Sequence, residues 1–223
     1  MNPREKKSGI RGIVVTAALF SLILLLNFSG LGFIKVGISE VTMLHIPVII
    51  GAVMEGPLVG SVLGLLFGLS SLWESYTSPS VLAPAFQNPI VSVVPRILIG
   101  LFSSYAFSIA MKLTKKRVSG SALVASIVGT LTNTVFVLSL MHFMYSSLIV
   151  ENLASEAAAT SQAIIFGIMA TNAPGELIVS CVVTVPVVIA LRKVQRSNNA
   201  PGPMDSVAEE LEVAAESHNS AAE

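Results

Sequence analysis

Charged residues are scarce in this chain, and their scarcity excludes an ordinary soluble domain. Only 12% of the 223 residues are charged and 53% are hydrophobic, whereas soluble domains carry roughly 25% charged residues. One globular core of this size would not bury so much apolar surface. Long runs without Asp, Glu, Lys or Arg, such as 13–26 and 43–54, favour an integral membrane protein instead.

Cysteine and several catalytic motifs are also rare or missing. The single cysteine, Cys181, cannot form an internal disulfide. The chain lacks the phosphate-binding loop of ATPases, the nucleophile elbow of hydrolases and the zinc-protease motif. His45 and His142 have no second His or Cys near them in the sequence. We therefore expect no catalytic activity, no cofactor, no metal, and an energy source in another protein.

Six apolar segments predict an all-α membrane protein with a bundle of six transmembrane helices. The first segment follows basic residues as a secretory signal would. It lacks a small-x-small cleavage pattern, so we interpret it as an uncleaved helix. Asn172-Ala173-Pro174-Gly175 is expected to break a helix, which would make 157–171 a separate outer segment. The predicted segments are 12–29, 43–55, 57–73, 92–111, 121–146 and 174–191.

Basic residues predict the orientation of the chain. With six crossings, 11 of the 13 basic residues fall on one side of the membrane, and only Lys35 and Arg96 do not. The positive-inside rule makes that side cytoplasmic, with the N and C termini on it. Five or seven crossings would divide the basic clusters between the two sides.

The chain is predicted to have three parts. A basic cytoplasmic N-terminus (1–11) precedes the transmembrane substrate-binding domain (12–195), and an acidic tail (196–223) follows it. After Arg196 the tail contains no Lys or Arg and is rich in Ala, Ser, Asn and Pro. We expect this tail to be disordered.

Ionisable residues inside apolar segments are candidate site residues, because burying a charge in a membrane is costly. Arg96 follows Pro95 about one turn inside the fourth segment, and its guanidinium suits a carboxylate or phosphate. Glu176 lies near the outer end of the sixth segment. Two interpretations stay open: Arg96 and Glu176 pair with each other, or Arg96 faces a ligand.

Polar and aromatic residues near the outer ends of the segments complete the candidate site. Asn133 would tie two helices together or contact a ligand, and Asn172 at the expected break favours ligand contact. Trp73 belongs to an aromatic belt or to the mouth of a pocket, and Asn88 precedes the fourth segment. The outer connections, where ligand sites commonly lie, are 30–42, 74–91 and 147–173.

Small residues at four-residue spacing indicate close helix packing. Glycines of the third segment recur at 56, 60, 64 and 68, so they share one helix face. That face either packs inside the bundle or docks a partner, and Gly60 and Gly64 are the docking candidates. Ala17 and Ser21 form a similar pair in the first segment.

These features resemble the substrate-binding S components of energy-coupling factor (ECF) vitamin transporters. The resemblance covers about 10–195. It rests on the six-segment layout and on the stretches 44–52, 55–60, 88–100 and 129–134. It implies a helical bundle in the cell membrane that binds a small vitamin or its precursor at its outer face. It also implies a transmembrane coupling protein and two cytoplasmic ATPases as partners, and toppling of the S component during release.

The family pattern implies roles for particular residues of this chain. Family members contact the coupling protein through small residues of the first helix, typically Ala-x-x-x-Ala, and the matching positions here are Ala17 and Ser21. The serine departs from that pattern. In the family the outer connections and the outer halves of the fourth to sixth helices carry the ligand, and the candidate residues there are Arg96, Asn88, Asn133, Asn172 and Glu176.

Among the substrate groups, this chain is most similar to the pantothenate-type members, through Asn88-Pro89…Pro95-Arg96 and the stretch 129–134. Pantothenate offers a carboxylate for Arg96 and hydroxyl and amide groups for asparagines. It has no ring to stack, which suits a chain with 6% aromatic residues. The alternatives are folate, riboflavin or a pyrimidine precursor, a membrane scaffold of the MreD type, and an intramembrane enzyme without recognisable catalytic residues.

Overall fold

The structure, a computed structural model, describes residues 3–30, 32–36, 39–77, 83–153 and 161–198. The predicted helical fold class is confirmed, since each of the six predicted apolar segments falls on a helix. The acidic tail from 199 onward lies outside the described residues. In chain order the elements are α1 (Pro3–Phe28), β1 (Phe33–Val36), β2 (Ser39–Thr42), α2 (His45–Glu55), α3 (Pro57–Thr77), α4 (Ala83–Phe86), α5 (Pro89–Leu113), α6 (Val118–Leu153) and α7 (Ser161–Asn198).

Four stretches of the described helices are long and apolar enough to cross a membrane. Two more helical stretches, Gly12–Phe28 and His45–Glu55, are apolar but shorter than 18 residues, so the count of six crossings stays a prediction. Large apolar side chains such as Ile13 and Val182 are about two-thirds exposed, at 71% and 67%, as lipid-facing side chains would be. The four long stretches are Pro57–Thr77, Pro89–Leu113, Val118–Ser147 and Met169–Gln195.

A two-stranded hairpin occupies most of the connection between α1 and α2, which the sequence predicted to be irregular. β1 and β2 are antiparallel, with Phe33 opposite Thr42 and Val36 opposite Ser39. The base of the hairpin is tied to α1, because the Gly32 N–H donates to the Leu26 carbonyl. The hairpin therefore leads directly into the buried start of α2.

Helix α7 continues through Pro174, so the predicted break at 172–175 is wrong. The helix extends from Ser161 to Asn198 and contains both Pro174 and Pro186. Proline removes one backbone hydrogen bond. In apolar surroundings the chain has no water to replace further lost bonds, so the rest of the helix stays intact.

The core depends on a close contact between α3 and α5, where glycines replace side chains. A Cβ atom at Gly64 would overlap the backbone of Arg96, and one at Gly68 would lie 2.7 Å from the Val93 Cα. Gly60 meets Gly100 of α5 and Ala52 of α2 in the same way. This contact corrects the docking interpretation of Gly60 and Gly64, because both residues are buried inside the bundle and unavailable to a partner.

The bundle has two chemically different ends. At the end we call the basic end, α2 turns into α3 at Gly56, whose φ of 97° favours glycine, and α5 turns into α6. Exposed basic residues cluster in that second turn, at Lys115, Lys116 and Arg117. The opposite end, which we call the hairpin end, contains the β1–β2 hairpin, α4 and the starts of α2 and α5.

Candidate functional site

Buried polar side chains from four helices converge toward the hairpin end. Each of them is no more than 8% exposed, although the surrounding helices are strongly apolar. Burying such groups in a membrane is costly, so they commonly mark a functional site. We call this set the polar cluster: His45 of α2, Arg96 of α5, Thr130, Asn133 and Thr134 of α6, and Glu176 of α7.

Arg96 is fixed between two aromatic rings. The guanidinium carbon lies 5.3 Å from the centroid of the Phe67 ring in α3 and 5.4 Å from that of the Phe86 ring in α4, within the range of cation–π attraction. Its Nη1 donates a 3.1 Å hydrogen bond to the carbonyl of Val91. The positive charge is therefore held in place by aromatic faces and a backbone carbonyl.

Glu176 ties the hairpin to the bundle. One carboxylate oxygen accepts a 3.1 Å hydrogen bond from the backbone N–H of Thr42, at the end of β2. The other accepts a 2.9 Å bond from the hydroxyl of Thr134 in α6. Neither hydrogen-bond partner of Glu176 is Arg96. The structure therefore does not support the interpretation that Arg96 and Glu176 pair with each other. Their charges still interact across the cluster.

A chain of hydrogen bonds joins α2, α6 and α7. His45 Nε2 lies 3.1 Å from the hydroxyl of Thr130, and the hydroxyl of Thr134 lies 3.2 Å from the Thr130 carbonyl. The Thr134 hydroxyl has a single proton, which is shared between this carbonyl and the carboxylate of Glu176, 2.9 Å away. Since Thr130 and Thr134 are one helical turn apart, they share a face of α6, and this face holds the cluster together.

Three buried polar atoms of the cluster lack a hydrogen-bond partner among the described residues: Arg96 Nε, a donor, Asn133 Oδ1, an acceptor, and His45 Nδ1, whose role depends on the tautomer of the ring. Buried polar groups are nearly always paired in proteins, so unpaired ones indicate places where a ligand can complete the bonding. The arrangement offers a cation for an acidic group and an acceptor for a hydroxyl or an amide N–H.

Asn88 supports the site from the start of α5. Its side-chain oxygen accepts a 2.9 Å hydrogen bond from the Ile90 N–H, which caps the helix. Its amide nitrogen donates to the Tyr145 hydroxyl at 3.3 Å, beside the kink in α6. In this structure Asn88 therefore positions α5 against α6.

The other residues singled out in the sequence lie at the margins. Trp73 is 63% exposed, as expected for a residue facing the membrane interface. Asn172 lies one turn before Glu176 in α7 and accepts a 3.3 Å hydrogen bond from Thr171. Ala17 and Ser21 are exposed on α1.

Phe67 and Phe86 are the site residues that sequence reasoning missed. Phe67 lies in the apolar third segment, where nothing in the local pattern separates it from an ordinary core ring, and Phe86 lies in the connection 74–91, for which no helix was predicted. The spacing of Thr130 and Thr134 was a usable signal, because it places two hydroxyls on one helix face.

Apolar helices long enough to cross a bilayer define a multi-pass membrane protein, and the comparisons with known proteins specify its family. A family model described as "ECF transporter, substrate-specific component" matches residues 11–188. The chain belongs to this family, which confirms the resemblance seen in the sequence. It is therefore a multi-pass protein of the cell membrane and a component of a transport system, and its family is not one of enzymes.

Two relatives carry names that specify a substrate. The pantothenic acid transporter PanT of Lactococcus lactis subsp. cremoris is 29% identical over 209 residues, covering 86% of this chain and 100% of that protein. The pantothenate transporter PanT of Leuconostoc mesenteroides subsp. mesenteroides is 34% identical over 103 residues, covering 43% of this chain and 50% of that protein.

Proposed function

We propose that this chain is the substrate-capture subunit of an ATP-driven ECF importer and that it binds pantothenate at the extracellular face. The family match and the names of the two relatives support the proposal. The observation that carries it is Arg96: a buried cation between Phe67 and Phe86 whose Nε has no partner in the described structure.

The chemistry of pantothenate matches the polar cluster. Its carboxylate can accept charge-assisted hydrogen bonds from Arg96, whose guanidinium has five N–H donors and uses one for Val91. Its hydroxyl or amide N–H can donate to Asn133 Oδ1. We assign Glu176 an indirect role in binding, because its two carboxylate oxygens accept bonds from Thr42 and Thr134 and so hold the hairpin against α6.

A binding experiment with two ligands tests the role of Arg96. Pantothenol carries a hydroxymethyl group where pantothenate carries its carboxylate. For Arg96→Ala we expect pantothenate affinity to fall about 10- to 100-fold by calorimetry, the range for a lost hydrogen bond to a charged group. Affinity for pantothenol should change much less, and Arg96→Lys, which keeps the charge, should lose less than Arg96→Ala.

Two control variants separate direct from indirect effects. Arg117→Ala removes an exposed arginine of the basic end and should leave both affinities unchanged. Glu176→Gln should weaken pantothenol binding, because it loosens the hairpin, and should weaken pantothenate binding less, because it also removes a negative charge that interacts with Arg96. Failure of the wild-type protein to bind pantothenate would refute the substrate assignment, and displacement by folate, riboflavin or a pyrimidine precursor would identify another vitamin.

We also propose six crossings with both termini in the cytoplasm, so that the hairpin end faces outward. The exposed lysines and arginine between α5 and α6 support this orientation. In a Cys181→Ser background, Tyr76→Cys near the hairpin end should react with a membrane-impermeant thiol reagent on intact cells. Lys116→Cys should react only after permeabilisation, and the reverse pattern would overturn the orientation.

The proposed partners are a transmembrane coupling protein and two cytoplasmic ATPases, as in ECF transporters generally. The proposed contact with the coupling protein is the exposed α1 face around Ala17 and Ser21. Co-purification with ATPase subunits would support transport. Co-purification with cytoskeletal or wall-synthesis proteins alone would support the scaffold alternative.

A further inference from the structure

Pro95 interrupts the hydrogen bonding of α5 next to Arg96. It lies inside the helix and is buried. Proline has no N–H, so the carbonyl of the residue four positions earlier, Val91, loses its usual helical partner. Val91 is fully buried, at 0% exposure, so water cannot replace that partner. An unpaired carbonyl there would be strongly unfavourable in a membrane protein.

The Arg96 side chain supplies the missing donor. Its Nη1 lies 3.1 Å from the Val91 carbonyl oxygen. A helical side chain leans toward the N-terminus of its helix, and this direction lets a long residue directly after the proline reach back one turn. The carbonyl that Pro95 leaves unpaired is thus the one that the guanidinium binds.

Residues of α4 and α3 hold the Arg96 guanidinium from its other sides. The Ser92 hydroxyl donates to the carbonyl of Phe86, which links α4 to the first turn of α5. The Phe86 ring lies beside the guanidinium, and Phe67 of α3 provides the second ring. The Arg96 Nε remains without a partner among the described residues.

We propose that Pro95 is a positioning residue: by leaving the Val91 carbonyl unpaired, it fixes the Arg96 guanidinium in the orientation that receives the carboxylate of the ligand. This inference rests on the proposed function for the identity of the ligand. Its physical basis is preorganisation, because a side chain fixed before binding loses less conformational freedom when the ligand arrives.

Pro95→Ala restores a backbone N–H for Val91 and removes the need for Arg96 at that carbonyl. We expect the affinity for pantothenate to fall about three- to tenfold, the range for losing one ordered flexible side chain, and the affinity for pantothenol to stay within about twofold. In an Arg96→Ala background, Pro95→Ala should have no further effect on pantothenate binding. Equal losses for both ligands, or losses that add in the double variant, would make Pro95 merely structural and overturn the proposal.

A second measurement needs no ligand, so it separates this inference from the proposed function. Thermal unfolding in detergent is compared for wild type, Pro95→Ala, Arg96→Ala and the double variant. Arg96→Ala should lower the Tm clearly less in the Pro95→Ala background, where the Val91 carbonyl has a helical donor. Contacts of Arg96 with Phe67 and Phe86 that persist in both backgrounds cancel in the cycle.

The matched control is Pro186→Ala, which restores an N–H in α7 and should leave the effect of Arg96→Ala on the Tm unchanged. Pro95→Gly also restores the N–H and replaces Pro95→Ala if that variant does not fold. An equal Tm loss from Arg96→Ala in the wild-type and Pro95→Ala backgrounds would overturn the link between Pro95 and Arg96. Absence of pantothenate binding in the wild type, with the Tm coupling intact, would refute only the substrate.

Discussion

Two helices of this protein carry small residues at four-residue spacing, and the structure places them in opposite surroundings. On α3, Gly60 and Gly64 are buried against α5, where a Cβ atom at Gly64 would overlap the backbone of Arg96. On α1, Ala17 and Ser21 are exposed. Equal spacing therefore has different consequences in the two helices.

The comparison shows what a small-residue pattern can and cannot predict. It predicts that another backbone can approach closely, but not whether that backbone belongs to the same chain. On α3 the approaching backbone is α5, and the contact also positions Arg96 in the polar cluster. On α1 the described structure leaves the small residues uncovered, which supports the proposed contact with a coupling protein.

The largest expected effect comes from filling the α3 contact. Gly64→Ala should lower the free energy of unfolding by about 3 kcal/mol, the upper end of the usual cost of overpacking, because the Cβ would meet backbone that cannot move aside. Gly64→Leu should yield no folded protein. Thermal unfolding in detergent measures the first effect and gel filtration the second.

Gly120 in α6 provides the matched control for Gly64. A Cβ there would lie 3.8 Å from the Thr114 side chain, an ordinary contact. Gly120→Ala should be neutral or stabilising by up to about 1 kcal/mol, since alanine favours the helix. A Gly64→Ala protein as stable as Gly120→Ala would contradict the view that the α3–α5 contact requires glycine.

A smaller and more selective effect is expected on α1. Ala17→Trp should leave folding and pantothenate binding unchanged, because the side chain is exposed. It should reduce co-purification with the coupling protein about tenfold, as a bulky residue in a close helix contact costs on the order of 1–3 kcal/mol. Ile109→Trp on α5, where Ile109 is 57% exposed, is the control. If both variants retain the coupling protein equally, this α1 face is excluded as the contact.

The smallest effect is expected at Ser21, where the chain departs from the alanine pattern of the family. The Ser21 hydroxyl donates a 2.8 Å hydrogen bond to the Ala17 carbonyl of its own helix, so it does not need a partner protein. Ser21→Ala should change co-purification by less than about twofold. A larger loss would mean that the hydroxyl contributes directly to the contact.

The candidate site was only partly predictable from the sequence. Arg96 and Glu176 could be singled out because charges are rare in apolar segments, and both are buried in the polar cluster. Their partners could not be predicted. Glu176 binds the Thr42 N–H across 134 positions, and Arg96 packs on Phe67 from another helix.

The sequence by itself determined that this protein is a helical membrane protein and where its apolar segments lie. A helix that crosses lipid has to be apolar and about 20 residues long, and both properties can be read from the sequence. It also contained the family resemblance. Only the tertiary structure decided that Gly60 and Gly64 are buried, that α7 passes through Pro174, and that Arg96 lies between two rings. The burial of the glycines and the surroundings of Arg96 depend on which helix faces which, and contacts between distant parts of the chain set that arrangement.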